Sequence, residues 1–203
     1  MNYYDTTFQN LIAKDVFFVT IKLRKIQHKD AEAFWNMAFS NEDAEWTKGN
    51  GPYFQEELPT KSSFIAGRVG ADYMNNPLKK IILLNNRMVG MVSAHYEDGN
   101  LQKWLEAGIV IYNQSNWQQH IGFQAFSLWI DELFEKTDLP HIGLTTWAGN
   151  QRMLGLAEKM GLKKEAEIRQ VRYWNGQYWD SIKYGVLRDE WEKGDRSQIS
   201  HLK

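Results

Sequence analysis

Cysteine is absent from all 203 residues, which removes disulfides, thiolate metal sites and cysteine nucleophiles together. An excess of either charge is also lacking. The 24 Lys and Arg nearly balance 25 Asp and Glu, for a net charge of −1, so no field draws the chain to nucleic acid or an anionic membrane. No apolar run approaches the roughly 20 residues needed to span a bilayer. The opening MNYYDTTFQN has no basic segment followed by an apolar one and does not read as a signal peptide. The expectation is a cytoplasmic protein, monomer or homodimer, with no membrane or nucleic-acid partner. Repeats and low-complexity linkers are missing too. What is present is apolar and aromatic: 43% hydrophobic residues, with nine Trp, nine Tyr and ten Phe. That suffices for the core of one domain, expected over 1–191 and followed by a loose polar tail over 192–203.

Local patterns order the chain. Phe17 to Lys25 alternates partly and reads as a strand. Asp30 can cap a helix bearing Ala31, Phe34, Trp35, Ala38 and Phe39 on one face. Asn50-Gly51-Pro52 breaks the chain, and a second helix is expected from about Lys61 to Met74. Lys80–Leu84 and Met88–Tyr96 flank Asn85-Asn86 as a hairpin. A strand follows, ending near Tyr112, then a helix with Phe126, Trp129, Ile130, Leu133 and Phe134 at core spacing. His141–Trp147 is a further strand, and Asn150 opens another helix. Asn175-Gly176 between two β-rich runs is a two-residue hairpin turn. The alternation points to an α/β or α+β domain on a mixed sheet, with about four helices.

The chemistry concentrates between Glu106 and Leu162. After the strand ending near Tyr112 the chain reads Trp117, Gln118, Gln119, His120, Ile121, Gly122, Phe123. Free N–H groups in the first turn of the helix beginning here favour anions, and Gly122 permits close approach of a ligand. Neither a dinucleotide-binding nor a P-loop glycine pattern is present. Taken alone, the turn reads first as an ordinary strand-to-helix connection.

The spacing from Asn150 through Met153, Ala157, Lys159 and Gly161 to Leu162 changes that balance. With the Trp117–Gly122 turn about 30 residues earlier, the chain resembles the GNAT acetyltransferase superfamily, and most closely its ribosomal-protein N-terminal (RimJ/RimL-type) branch. The resemblance runs from about Thr20 to Trp191. It implies a mostly antiparallel sheet splayed at the middle and closed by a C-terminal hairpin. It also implies acetyl-CoA as co-substrate, no metal, and an amine acceptor that is a small molecule or a protein N-terminus. The turn residues Trp117 to Phe123, with Asn150 and Met153, would contact the cofactor. Ile109, Val110 and Ile111 would pair their backbone with the pantetheine arm, one N–H stabilising the oxyanion. Trp46, Tyr53 and Phe54 border the acceptor site in the resembled fold. Two departures stand out. Ala157 replaces a tyrosine that protonates the leaving thiolate in many members. His120 replaces a glycine, and either sits at positive φ at a cost of about 1 kcal/mol or keeps ordinary backbone and offers its ring to phosphate. We expect the second.

Acetyl transfer needs a neutral amine, whereas a lysine-like amine titrates near 10.4, so a carboxylate near the acetyl group is the usual remedy. Glu106 is the first candidate base, two residues before Gly108, a strand glycine that suggests a bulge or a close approach. His95 and water are alternatives. Tyr184 is the preferred proton donor or substrate contact. If numbers summing to 351 pair across the last hairpin, Tyr184 shares a face with Tyr173, a further candidate for the acceptor pocket. A non-catalytic acyl-CoA-binding regulator on the same fold is the competing function, and a structural interaction module would explain the aromatics alone.

Overall fold

The computed structural model describes residues 20–194. Seven strands form one sheet in the order β1-β2-β3-β4-β5-β7-β6. They are β1 Ile21–Arg24, β2 Lys79–Leu84, β3 Arg87–Tyr96, β4 Leu105–Ile111, β5 His141–Trp147, β6 Lys163–Trp174 and β7 Gln177–Leu187. The α-helices are α1 Ala31–Ala38, α2 Lys61–Ala66, α3 Arg68–Asn75, α4 Ile121–Lys136, α5 Gln151–Lys159 and α6 Arg188–Lys193. The start of the first expected strand, before Thr20, lies outside the described residues. So does the tail after Gly194. Among the described residues no helix is long and apolar enough to cross a membrane.

Every pairing is antiparallel except β4 with β5, which are parallel. That pair meets only at Leu105↔Ile142 and Glu106↔Gly143. Both strands then continue, so the sheet opens in its middle like a V with Glu106 at the closed end.

Strand alternation sorts β4 between two cores. Leu105, Ala107, Ile109 and Ile111 pack toward α4 and α5, with Phe126, Trp129, Ile130 and Leu133. Val110 and Tyr112 pack the other way, with Phe34, Phe64 and Trp46. A fully buried side chain of this size contributes about 1.5–3 kcal/mol. Trp129, 1% exposed, also satisfies its indole by donating to the Ser93 carbonyl at 2.9 Å.

Several expectations are corrected. The helix expected over 61–74 divides at Gly67, whose backbone is extended (φ −104°, ψ 179°). A Cβ there would lie 2.1 Å from the Ser63 carbonyl oxygen. Asp30 makes no side-chain cap to α1; it accepts from Arg24 at 2.6 and 2.9 Å and from the Gln27 N–H at 2.8 Å. A sixth helix not expected from the sequence, α6, buries Trp191 and takes in Glu192 and Lys193, the first two residues of the tail expected to be loose. The division at Gly67 and α6 account for six helices where four are expected. Gly108 marks no bulge, since β3 and β4 pair without interruption from Gly90↔Ile111 to Tyr96↔Leu105.

Candidate active site

Along the β4 edge that the V leaves open lies a cleft of about 440 Å³. One wall is the β4 edge at Ile109, Val110 and Ile111, and another is α5 with Asn150 and Met153. The turn into α4 supplies Trp117, Gln118, His120, Gly122 and Phe123 to the mouth. These are residues the sequence nominates for the cofactor. Two nominees stay out of the cleft. Gln119 donates to the Ser115 carbonyl at 2.7 Å, and Ile121, 1% exposed, anchors α4 in the core.

Locally the turn is built by backbone. Gln118 (φ 61°) and His120 (φ 59°) are both left-handed, and His120 is the N-cap of α4. The expectation of ordinary backbone at His120 is therefore wrong. The physical reason is the sharp reversal from β4 into a helix, which turns the free N–H groups of the first helical turn toward the cleft. Lys159 of α5 holds the histidine ring, its ammonium lying 2.7 Å from Nδ1. An ammonium only donates, so in this contact Nδ1 accepts. Arg152 stacks over the Trp117 ring at 3.7 Å, and Trp117 donates to the Ile111 carbonyl at 2.9 Å. Two cations and a helix N-terminus thus surround the mouth, an arrangement suited to phosphates.

Asn150 caps α5, accepting from the Met153 N–H at 3.2 Å, and its amide donates to the Gly49 carbonyl at 2.9 Å. It ties the 44–56 segment across the cleft. Trp46 lines the cleft from that segment, packed edge-on against Tyr112 at 5.2 Å. Tyr53 lies farther along, against Trp147 at 5.9 Å and beneath Arg172 at 4.8 Å. Burial raises the Tyr53 phenol above its usual value, against the opposing pull of Arg172.

At the closed end, Glu106 is 2% exposed. Lys183 donates to its Oε1 at 2.5 Å and Thr145 to its Oε2 at 2.5 Å; Lys183 also donates to Thr145 at 2.8 Å. Glu97 lies 3.5 Å from the same ammonium. His95, Glu97 and Glu106 bring potential ligand atoms within 4.8 Å of one another, and Lys183 supplies positive charge to two of the three. His95 is 69% exposed in its side chain and reaches Glu97 only at 3.9 Å.

Tyr184 is not with this group. It is buried in the core on the α4–α5 side and donates to Glu158 at 3.2 Å. Burial first, then that bond, raises its phenol above the usual value. Strand alternation sends Lys183 to the Glu106 face and Tyr184 to the opposite one, so Tyr184 and Glu106 cannot act on one proton together. The pairing behind the expectation also slips. Tyr173↔Tyr178 keeps the sum of 351, but register shifts occur between Ile168 and Arg172 and between Lys164 and Ala166. Glu167 therefore faces Ile182, and Tyr184 faces Lys164. Tyr173, 55% exposed, packs tilted against Tyr178 at 5.0 Å near the hairpin tip and lines no part of the cleft.

Sequence reasoning missed Lys183, Thr145, Arg152 and Arg172. A lysine between apolar neighbours in a β-rich strand was the available signal for Lys183; nothing local marked its partner 77 residues away. Ala157 is fully buried against α4 and leaves no hydroxyl there.

Comparison with known proteins bears on this geometry. YdaF of Bacillus subtilis (strain 168), which carries the provisional name of a ribosomal N-acetyltransferase, is 24% identical over 177 residues, 85% of this chain and 93% of that one. Among solved structures, spermidine N-acetyltransferase from Vibrio cholerae in complex with CoA and spermine superposes with a TM-score of 0.67 at 16% identity, covering 85% of this chain and 98% of that one. RimL, a ribosomal L7/L12 alpha-N-protein acetyltransferase in complex with coenzyme A, gives 0.65 at 19% identity, over 84% and 95%. These share its fold. The model of the acetyltransferase (GNAT) domain matches residues 20–163, most of the chain, and the chain belongs to the GNAT acetyltransferase family.

Proposed function

We propose that the protein transfers an acetyl group from acetyl-CoA to a primary amine by direct attack. The observation that carries this reading is the divergence of β4 and β5 beyond Glu106↔Gly143. It leaves the β4 edge at Ile109–Ile111 open along a cleft flanked by a helix N-terminus and two cations, with a buried carboxylate at the point where the strands part. The diphosphate would lie at the α4 turn with Lys159 and Arg152. The pantetheine arm would take the place of a strand along Ile109–Ile111, and the thioester would reach the region of Glu106.

There the amine nitrogen attacks the thioester carbonyl, the C–S bond breaks and CoA leaves as a thiolate. A β4 N–H stabilises the oxyanion. Glu106 takes the proton from the amine, directly or through water; its two accepted bonds leave lone pairs available. Glu97 then remains beside Lys183 to balance its charge. With no cysteine in the chain, no thioester forms on the enzyme. The fit of RimL and a spermidine acetyltransferase to one fold leaves protein N-termini and small amines both open as acceptors.

The pairing of Glu106 with Lys183 also suits a non-catalytic acyl-CoA binder, and two measurements separate the readings. Acetyl-CoA at a hundredfold excess over Kd should stabilise the fold by about 2.7 kcal/mol, and NAD and ATP should not compete. An amine panel should then release free CoA. Binding without release of CoA to any amine would leave the regulator; no binding at millimolar acetyl-CoA would defeat both.

A further inference from the structure

The acceptor side of the sheet carries a cation with no counter-charge. Arg172, near the end of β6, packs its guanidinium over the rings of Tyr53 at 4.8 Å and Phe54 at 5.4 Å. Its Nε is buried without a hydrogen-bond partner, and Nη2 reaches the Ser181 hydroxyl only at 3.5 Å. Among the described residues no carboxylate pairs with it. Lys183, on the same side, meets Glu106 and Glu97. An arginine presents a planar fork of donors matched to a carboxylate, and leaving buried donors unmatched is costly.

Its place along the site gives the mismatch meaning. Ser181, which Arg172 reaches, and Lys183, which meets Glu106, lie two residues apart on one face of β7, about 7 Å along the strand. Trp147, opposite Ser181 on β5, packs edge-on against Tyr53 at 5.9 Å and Trp179 at 5.2 Å. A buried carboxylate and a guanidinium without a carboxylate partner therefore lie on one face of the sheet, with the aromatic rings of Tyr53 and Phe54 beside the guanidinium.

We infer that the acceptor is a primary amine bearing a carboxylate a few bonds from its nitrogen. The amine would face Glu106 and the carboxylate Arg172. The amine end rests on the acetyl-transfer reading; the carboxylate end does not. A purely cationic polyamine would meet Arg172 with like charge.

The test uses the whole protein with α-, β- and γ-amino acids, their carboxamides, and spermidine. Turnover is read as CoA release, and binding separately as the melting shift in the presence of CoA. Wild type should prefer acids over matched amides by at least about tenfold in kcat/KM, the worth of one charge-assisted hydrogen bond. Arg172→Gln should bring that ratio close to one, and Arg172→Lys should restore part of it. A merely structural arginine, stapling Tyr53 and Phe54, would lower acids and amides alike and keep their ratio. That result, or equal or better use of amides or spermidine by wild type, overturns the inference while acetyl transfer stands. Arg172-dependent binding of acids without turnover of any amine keeps the carboxylate site and removes the acetyl-transfer reading. Failure of every acid to bind removes the site.

Discussion

The two ends of the β4–β5 V are built from different materials. At the α4 end, one stretch of chain runs from strand through turn into helix, and its ligand-facing groups are largely backbone N–H. At the Glu106 end, side chains converge from β3, β4, β5, β6, β7 and the 44–56 segment. Backbone groups present the same donors whatever the side chain, so the first end tolerates Gln118 and His120 at left-handed positions. The second end has no such tolerance. Each of its charges is matched by a residue distant in sequence, as Glu106 is by Lys183 and Thr145, and Arg172 is the one whose match is missing among the described residues.

Breaking the side-chain end should give the largest effects. Glu106→Gln should cut turnover by about 10²–10⁴-fold with CoA affinity nearly unchanged, because a proton acceptor is lost and no phosphate contact is touched. An unaltered pH–rate profile in that variant would transfer the role to His95 or water. Lys183→Met strands the buried carboxylate and should cost about 3 kcal/mol, the lower end of the range for broken buried pairs because the lysine is partly exposed. Adding Glu106→Gln to Lys183→Met should recover part of that loss in denaturant melts. Additive losses would mean that the two residues are not coupled.

The backbone end should bend less. His120→Gly removes left-handed strain of about 1 kcal/mol, offset in part by the greater freedom of an unfolded glycine. It also deletes the ring that Lys159 holds. The expected outcome is a fold as stable or slightly more stable, with CoA affinity within a few-fold of wild type. A large loss of CoA affinity on calorimetry would show that the side chain, and not the backbone, makes this end.

The smallest effect lies far from both ends and serves as a control. Hydrogen bonding from Arg24 leads the causes that hold the Asp30 carboxyl below its usual value. A depressed folded value means the stabilisation is full above the unfolded pKa of about 4 and is lost as pH falls through the lower folded value. Arg24→Gln should thus destabilise at pH 7 and lose that difference in acid, with turnover unchanged at neutral pH. A stability gap that does not narrow at all as the pH falls below about 4 would contradict the assignment.

How far these features were legible in the chain follows the same division. The Asn175-Gly176 turn and the α4 stripe of Phe126, Trp129, Ile130 and Leu133 are local, and each appears where the pattern puts it. The break at Gly67 was hidden because the apolar pattern runs through it, while the conformation there depends on the Ser63 carbonyl. The slip in β6 was hidden because it begins around Gln170, a left-handed residue whose N–H donates to Asp180 across the hairpin. That slip and a second one between Lys164 and Ala166 set Tyr184 opposite Lys164 in place of Glu167.

The sequence by itself determined the order of elements and the strand–turn–helix that faces the cleft, because hydrophobic period, turn residues and helix starts act over a few residues. Only the tertiary structure decided the sign of φ at His120, the separation of Glu106 from Tyr184 onto opposite faces, and the company of Glu106 and Arg172. Those depend on strand register and on charges brought together across the fold, where a shift of one residue turns every side chain to the other face.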